Sequence, residues 1–176
     1  WPSDTIACPI QAMLITLGRI DNVNVAFGEL AGDGALVEVA QRIRHFAADE
    51  LESSNAWVAA RLNGGTFLLL ARQECSRERW QWLAEALADA IALPIASPEG
   101  EGSLRLWPRI ALMRVTEKDD PESVLERLAA VAEGMRESNR RRIDWSTGKA
   151  AHAGRSNRQF EADLLAAIDR NEIQIL

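Results

Sequence analysis

Cysteine and histidine are scarce in this sequence, and the few that occur do not form metal-binding patterns. The 176 residues include two cysteines and two histidines. Cys8 and Cys75 lack metal-ligand spacing, which argues against a zinc site and against a disulfide scaffold. His45 and His152 have no neighbouring cluster of cysteine or acidic residues, so we interpret both as surface residues. We therefore expect no metal site of this kind, and a reducing cytoplasm is the simplest setting.

Long apolar runs and an excess of basic charge are also absent. No run approaches the roughly 18 apolar residues that span a bilayer, and the first residues lack the charged-then-apolar pattern of a signal peptide. The net charge is −6 and the pI is about 5.0. Such a balance argues against a broad footprint on nucleic acid or anionic lipid, although it allows a local basic patch. We expect no nucleic-acid partner and no membrane contact, and the start at Trp1 suggests an excised fragment.

The most informative apolar segments are short and meet at a glycine turn. Two Pro-free runs within residues 57–71 flank Asn63, Gly64 and Gly65. Asparagine and glycine tolerate the positive φ angles of a tight hairpin turn. The sequence therefore predicts a central β-hairpin. These residues alone leave open a hairpin that belongs to the core and carries no site.

Other apolar runs predict strands, and apolar residues at three- and four-residue steps predict helices. Strands are expected at 10–17 and 104–115, where Pro108 implies a bulge or an edge position. A short helix or turn is expected at 19–28, and 94–103 is interpreted as a loop. The longer helices are predicted to begin at three points with capping residues: Gly32-Asp33, with Asp33 as the capping carboxylate, Ser76, and Asp120.

Periodicity is lost after residue 143, where small and polar residues dominate. This composition predicts a linker over 144–156. Ser156 and Gln159 form a capping box before a helical apolar pattern that includes Phe160. Residues 173–176 would start a strand that the chain is too short to pair. We predict one domain over 1–143, the linker, and the opening of another domain over 157–176.

The order of these elements resembles the GGDEF domain of bacterial cyclic-di-GMP signalling. Asn24-Val-Ala-Phe-Gly28, followed by Ala31-Gly-Asp33-Gly-Ala-Leu36, is similar to the family's Asn-Asp-x-aromatic-Gly-His and Gly-Asp-x-x-Leu segment. The hairpin turn from Asn63 to Phe67, preceded by Ala60-Arg-Leu62, occupies the place of the signature. Arg140-Arg-Arg-Ile143 is similar to the Gly-Arg-Asn-basic ending. The resemblance implies an α+β, ferredoxin-like fold in which helices flank a five-stranded, mostly antiparallel sheet like that of nucleotide cyclases.

Residues 160–176 resemble the first helix and strand of an EAL phosphodiesterase domain. The match is short, but it follows the linker where tandem GGDEF–EAL proteins place it. The resemblance implies an adjoining EAL domain in the same chain as a partner, a possible homodimer and a cytoplasmic location.

Active members of the GGDEF family join two GTP molecules, and acidic side chains hold Mg²⁺ against the phosphates. The resemblance places Thr16 and Gly65 at the two metal-binding positions and Thr66 at the signature's fourth, acidic position. A hydroxyl and a bare backbone are weak ligands, which implies weak or absent Mg²⁺ and no catalytic residue. Asp21 stands where the family has a phosphate-contacting lysine, so the charge there is reversed.

The same resemblance implies that part of the family's nucleotide pocket is retained. Asn24 and Asp33 fall at positions that hydrogen-bond the guanine edge, and Arg136 and Arg140 at positions that contact phosphate. Each also has a purely structural interpretation, as a turn residue, a helix cap or a charged helix end. The family's inhibitory product site has an Arg-x-x-Asp before the signature.

In this sequence the inhibitory positions hold Ser54 and Trp57, so feedback binding of cyclic-di-GMP there is not expected. The first functional hypothesis is an inactive domain that regulates an EAL phosphodiesterase or supports dimerisation. The second is a GTP sensor, and an active diguanylate cyclase is the least favoured. No cofactor is expected, with GTP as a possible ligand.

Overall fold

The fold is built from eight strands and four helices in the described part of the chain. The computed structural model describes residues 8–51, 56–97, 100, 102–116, 118–139 and 141–147, and the backbone of 174–175. The elements in chain order are β1 (Ile10–Gly18), α1 (Ile20–Phe27), α2 (Glu29–Glu50), β2 (Trp57–Asn63), β3 (Thr66–Arg72), α3 (Arg77–Ala92), β4 (Ile95–Ala96), β5 (Ser103–Leu104), β6 (Trp107–Val115), α4 (Pro121–Ser138), β7 (Ile143–Trp145) and β8 (Gln174–Ile175).

Six of the strands form one sheet in the order β7-β6-β1-β3-β2-β8. All neighbouring pairs are antiparallel except β6 and β7, which are parallel. The α+β prediction with a mostly antiparallel central sheet is confirmed. The sheet has one strand more than the resemblance implied, and the short strands β7 and β8 lie at its two edges.

The predicted hairpin is β2 and β3, and its second strand pairs with β1. Gly64 occupies the turn with a φ of 40°, a conformation that glycine adopts at little cost. Arg61 Nε donates to the Gly64 carbonyl at 3.0 Å, which ties the strand to the turn. The hairpin prediction is confirmed, and β1 lies at the centre of the sheet between β3 and β6.

Helices cover both faces of the sheet. The buried apolar side chains of α1, α2 and α3 pack on one face of the sheet together with Phe67, and those of α4 pack on the other face. Trp80 is fully buried in the first cluster, and its indole N–H donates to the Ala12 carbonyl at 3.3 Å. In β1, odd-numbered residues such as Met13 face the three helices, whereas Leu14 faces α4, as strand alternation requires.

Two of the three predicted helix starts are confirmed. The side chain of Ser76 accepts the Arg79 backbone N–H, and that of Asp120 accepts the Ser123 N–H, each at 3.1 Å. Both bonds satisfy a backbone donor that the first helical turn leaves free. These two helices therefore begin where their capping residues indicated.

The predicted start of α2 at Gly32-Asp33 is wrong. The helix begins at Glu29 with Gly28 as its N-cap, at a φ of 85° and without a side-chain hydrogen bond. Gly28 also ends α1, because its N–H donates to the Asn24 carbonyl at 2.9 Å. One glycine thus separates the two helices, and Asp33 lies exposed in the second turn of α2 rather than at its cap.

A second carboxylate stabilises the approach to α4. Asp119 accepts the backbone N–H and the hydroxyl of Thr116, each at 2.8 Å, and Arg127 Nη1 donates to it at 2.9 Å. These three hydrogen bonds hold the pKa of Asp119 below its usual value, and the bond from the Thr116 backbone contributes most. The loop before α4 is therefore fixed by a charged hydrogen-bond network.

Pro108 lies at a local edge of the sheet, which is one of the two alternatives that the sequence predicted. The β1–β6 register runs continuously through Leu17 and Pro108, without a bulge. Ile110 donates its N–H to the Arg142 carbonyl at 2.7 Å, and alternate residues of a strand present their N–H groups to the same side. The Pro108 nitrogen therefore faces the β7 side, where pairing begins only at Ile110. The predicted loop at 94–103 includes β4 and the first residue of β5, and these two short strands pair as a small antiparallel hairpin.

The end of the chain differs from the prediction at two points. Asp144 and Trp145, assigned to the linker, lie in β7, which is held against α3 by a 3.1 Å bond from the Trp145 indole N–H to Gln81. The prediction that the strand at 173–176 lacks a partner is also wrong, because Gln174–Ile175 pairs with β2. The predicted capping box and helix over 156–168 lie outside the described residues, so the proposed boundaries stay predictions.

Candidate functional site

Two of the positions that the resemblance assigned to acidic residues, Thr16 and Thr66, meet on the α4 face of the sheet. Thr66 of β3, Thr16 of β1 and Arg109 of β6 are direct partners across three adjacent strands. Direct partners project to the same face, and here strand alternation places them on the face that α4 covers. We call this set the Thr66–Thr16–Arg109 row. It contains two hydroxyls and a guanidinium, and no carboxylate.

Gly65, the third signature position, lies beside the row in sequence but faces the side of the sheet that α1, α2 and α3 cover. Its carbonyl accepts the Leu17 N–H at 2.9 Å. A Cβ added at Gly65 would lie 3.1 Å from Leu17 Cβ and 3.3 Å from Ile20 Cγ2. The space that a signature carboxylate would need is therefore closed by apolar side chains.

Arg109 extends beyond the row to the end of β1. Its Nη1 lies 3.1 Å from the place of a Cβ on Gly18, and its Nη2 donates to Asn139 Oδ1 at 3.1 Å. Asn139 follows α4 and adopts a φ of 46°. Arg109 is thus held by a neutral partner, so its charge is not compensated within this contact.

Arg19 places a second guanidinium at the same end of β1. Arg19 lies directly after β1 with a φ of 70°, and its guanidinium carbon is 5.9 Å from the centroid of the Trp107 ring. Trp107 pairs with Gly18 and is 56% exposed. Arg19 and Arg109 therefore flank the Gly18–Trp107 pair.

The Mg²⁺ ions that the family's chemistry uses do not fit these residues. Magnesium prefers carboxylate and water oxygens in octahedral geometry, whereas the row offers two hydroxyl oxygens and a cation. In the part of the chain that the structure describes, no group of three or more histidine, cysteine, aspartate or glutamate residues could hold a metal ion. The guanidinium of Arg109 would also repel a divalent cation.

The two predicted guanine-contacting residues lie near each other at the α1–α2 junction. Asn24 is on α1, and its Oδ1 lies only 1.7 Å from the place of a Cβ on Gly32, the residue before Asp33. Gly32 therefore lets the Asn24 amide lie against α2. Both Asn24 and Asp33 are exposed, so their polar groups are accessible to a ligand.

The predicted phosphate-contacting arginine of α4 is engaged by its neighbour. Arg136 Nε lies 3.1 and 3.0 Å from the two carboxylate oxygens of Glu133, which raises the pKa of Arg136. The Arg136 side chain is 69% exposed. An exposed pair of this kind is weak and can be exchanged for a ligand. Arg140 lies outside the described residues.

The other positions taken from the resemblance are distributed as follows. Asp21 is exposed in the first turn of α1, close to Arg19 in sequence. Trp57 begins β2, and Ser54 lies outside the described residues. Arg109, Arg19 and Trp107 were missed by the sequence analysis. Arg19 directly follows β1, but only the β1–β6 register brings Arg109 and Trp107 to the same end of that strand.

A cleft elsewhere contains none of the predicted site residues. It has a volume of about 380 Å³ and lies between α2 and the β4–β5 hairpin. On its wall, Arg42 donates to the carbonyls of Ala90, Ile91, Leu93 and Pro94 at 3.1, 3.2, 2.6 and 3.0 Å. The carbonyls of Ala90 and Ile91 belong to the last turn of α3, which leaves them free, and the other two follow the helix. We therefore assign Arg42 a structural role.

Comparison with known families gives a match over most of the chain. The family model described as "Diguanylate cyclase, GGDEF domain" matches residues 5–167. The chain belongs to the GGDEF family. A comparison of this GGDEF chain with curated protein sequences finds no significant match. No helix in the described part is long and apolar enough to cross a membrane.

Several solved structures share the fold of this GGDEF chain. The GGDEF domain of YfiN (TpbB) from Pseudomonas aeruginosa is 22% identical over 80% of this chain and 84% of that chain, with a TM-score of 0.69. An EAL/GGDEF domain protein from M. capsulatus is 17% identical over 82% and 88%, with a TM-score of 0.67. The active GGEEF domain of a Vibrio cholerae diguanylate cyclase is 17% identical over 82% and 86%, with a TM-score of 0.63.

Proposed function

We propose that this chain is a catalytically inactive GGDEF domain that acts as a regulatory or dimerisation module for an adjoining EAL phosphodiesterase domain in cytoplasmic cyclic-di-GMP signalling. The observation that carries the proposal is the Thr66–Thr16–Arg109 row. Phosphoryl transfer in the family needs cations that neutralise the developing charge. The row offers no carboxylate to hold such a cation.

Packing around the signature supports the same proposal. Leu17 Cβ and Ile20 Cγ2 lie 3.1 and 3.3 Å from the place of a Cβ on Gly65, so the surroundings of this position leave little room for an acidic side chain. The exposed carboxylate of Asp21 further disfavours a triphosphate at the start of α1. The M. capsulatus protein, named as an EAL/GGDEF domain protein, is an example of the two domain names together in one relative.

A turnover assay tests the loss of catalysis. The chain is incubated with GTP and Mg²⁺ or Mn²⁺, and cyclic-di-GMP is measured by mass spectrometry, with the active Vibrio cholerae GGEEF domain as the positive control. We expect no product. Reproducible product from a preparation free of other cyclases would refute the proposal.

The regulatory part needs a protein in which this domain is joined to the EAL domain. We expect removal of the GGDEF domain to change the rate of cyclic-di-GMP hydrolysis or the oligomeric state of the remaining protein. If both stay the same, the domain is neither a regulator nor a dimerisation module.

The second candidate is a GTP sensor, favoured by the Asn24 amide lying against Gly32 beside Asp33. A sensor must bind nucleotide with different affinity in two domain arrangements. Calorimetric titration with GTP, repeated on Asp33→Ala, tests the guanine pocket. Micromolar binding that is lost in the variant would support the sensor, and no heat at millimolar nucleotide would exclude it.

A further inference from the structure

We propose that the outer face of α2 binds the same face of a second copy of this chain, with the two helices antiparallel. The outer face is the side of α2 that points away from the core, and the residues that carry the argument are all exposed: Leu30, Asp33, Gly34, Val37, Gln41 and Arg44. The inference rests on the proposed role in dimerisation and deepens it, because it names the surface and the partner.

Apolar exposure on this face is the first reason. Leu30 is 86% exposed and Val37 is 57% exposed, and the two residues lie about two turns apart on one side of the helix. By contrast, α4, all of whose residues the structure describes, has no exposed large apolar side chain. A partner that covers Leu30 and Val37 removes them from water, which favours association.

The glycine between these two residues is the second reason. Gly34 lies in the interior of a 22-residue helix, where glycine is less stable than alanine. A Cβ on Gly34 would have no atom within 4 Å, so no contact that the structure describes requires a glycine there, although Gly34 also borders the cleft beside α2. Because the distance between packed helices depends on the side chains at their contact, a second helix can approach closely at Gly34.

Charge complementarity identifies the partner as a second copy in the antiparallel direction. Asp33 lies near the start of α2 and Arg44 near its end, on the same flank, because eleven residues correspond to about three turns. Neither forms an ion pair with a residue that the structure describes. If two copies of α2 cross near Val37 and Gln41, Asp33 of each copy lies opposite Arg44 of the other. The two-fold symmetry then forms this pair twice.

Two features limit the affinity of the dimer. A single pair of helices buries an area at the low end of specific interfaces. Two copies of a chain with a net charge of −6 also repel each other. We therefore expect a dimer that forms at micromolar or higher concentration and dissociates on dilution.

Sedimentation velocity over a concentration series of the chain measures this association. We expect a dimer whose fraction rises with concentration. Val37→Gln should raise the dissociation constant by about tenfold, because the change removes apolar burial in both copies. Val58→Gln is the matched control, since Val58 is 51% exposed but lies on β2. The control should dimerise as the wild type does.

A charge exchange tests the antiparallel pairing. Asp33→Arg and Arg44→Asp should each weaken the dimer by about tenfold, because each variant places like charges opposite one another. The double variant, Asp33→Arg with Arg44→Asp, restores opposite charges and should recover dimerisation. Asp33, Val37 and Arg44 are exposed, so we expect all variants to fold, and far-UV circular dichroism checks this.

Three results would overturn the inference: a monomer at every concentration, equal effects of Val37→Gln and Val58→Gln, or a double charge variant no better than either single variant. If the chain is a monomer and Val37→Gln changes phosphodiesterase activity in a protein that contains the EAL domain, the face binds the EAL domain instead. Failure here leaves the proposed inactivity intact, because that proposal fails only if GTP is converted to product. The regulatory role is tested separately, by removal of the GGDEF domain.

Discussion

Restoring a side chain at the third signature position should cost stability rather than restore a site. A Cβ on Gly65 would lie 3.1 Å from Leu17 Cβ and 3.3 Å from Ile20 Cγ2, so these side chains must move by a few tenths of an ångström. Added atoms in a packed region cost about 1–3 kcal/mol. We expect Gly65→Ala to destabilise the domain by this amount, and Gly65→Asp by more, since its carboxylate meets apolar groups.

Urea unfolding followed by circular dichroism measures the effect. Gly134→Ala is the matched control, because it adds the same methyl group on α4 with no atom within 4 Å. In a helix this change should stabilise by about 0.5–1 kcal/mol, opposite in sign to Gly65→Ala. Equal stability of Gly65→Asp and the wild type would refute the packing argument.

We also expect Thr16→Asp combined with Gly65→Asp to make no product, because Arg109 would pair with the new carboxylate.

Three further predictions follow from single contacts. Arg42→Met should destabilise by about 2–4 kcal/mol, because four carbonyls lose a charged donor, whereas Glu38→Gln should cost about 0.5 kcal/mol, as i,i+4 ion pairs within a helix do; urea unfolding of both variants checks this. Gly32→Ala should displace the Asn24 amide and weaken any GTP binding, yet leave the thermal midpoint unchanged or higher. Asp119 has a lowered pKa in the folded state, so its stabilisation is complete above the unfolded pKa and is lost as pH falls through the folded one. The stability difference between the wild type and Asp119→Asn should therefore shrink as the pH falls below the ordinary aspartate pKa of 3.8, and a constant difference would contradict the assignment.

Local patterns predicted the elements whose signals lie within a few residues. The hairpin turn, the Ser76 cap and the Asp120 cap each depend on neighbours in sequence, and the structure confirms them. The start of α2 was missed because Gly28 caps it without a side chain, so the first recognisable capping residue, Asp33, lies four residues inside the helix.

The site could be predicted only in part for a related reason. The resemblance to the GGDEF family identified Thr16, Gly65 and Thr66. It could not identify Arg109, which depends on the register between β1 and β6, two strands that are more than 80 residues apart in sequence. Nothing local marks Arg109 as the residue opposite Thr16. The pairing of β8 with β2 is likewise a long-range contact that no spacing indicates.

A Mn²⁺ titration monitored by amide NMR signals tests most directly whether the metal site has been lost. Bound Mn²⁺ broadens the signals of nearby amides, so a retained site would broaden Thr16, Gly65 and Thr66 before other residues. We predict no selective broadening at these three amides, with or without GTP, because Thr16 and Gly65 stand where carboxylates would be needed and Arg109 lies opposite Thr16. Selective broadening there at low Mn²⁺ concentration would contradict the loss of the metal site.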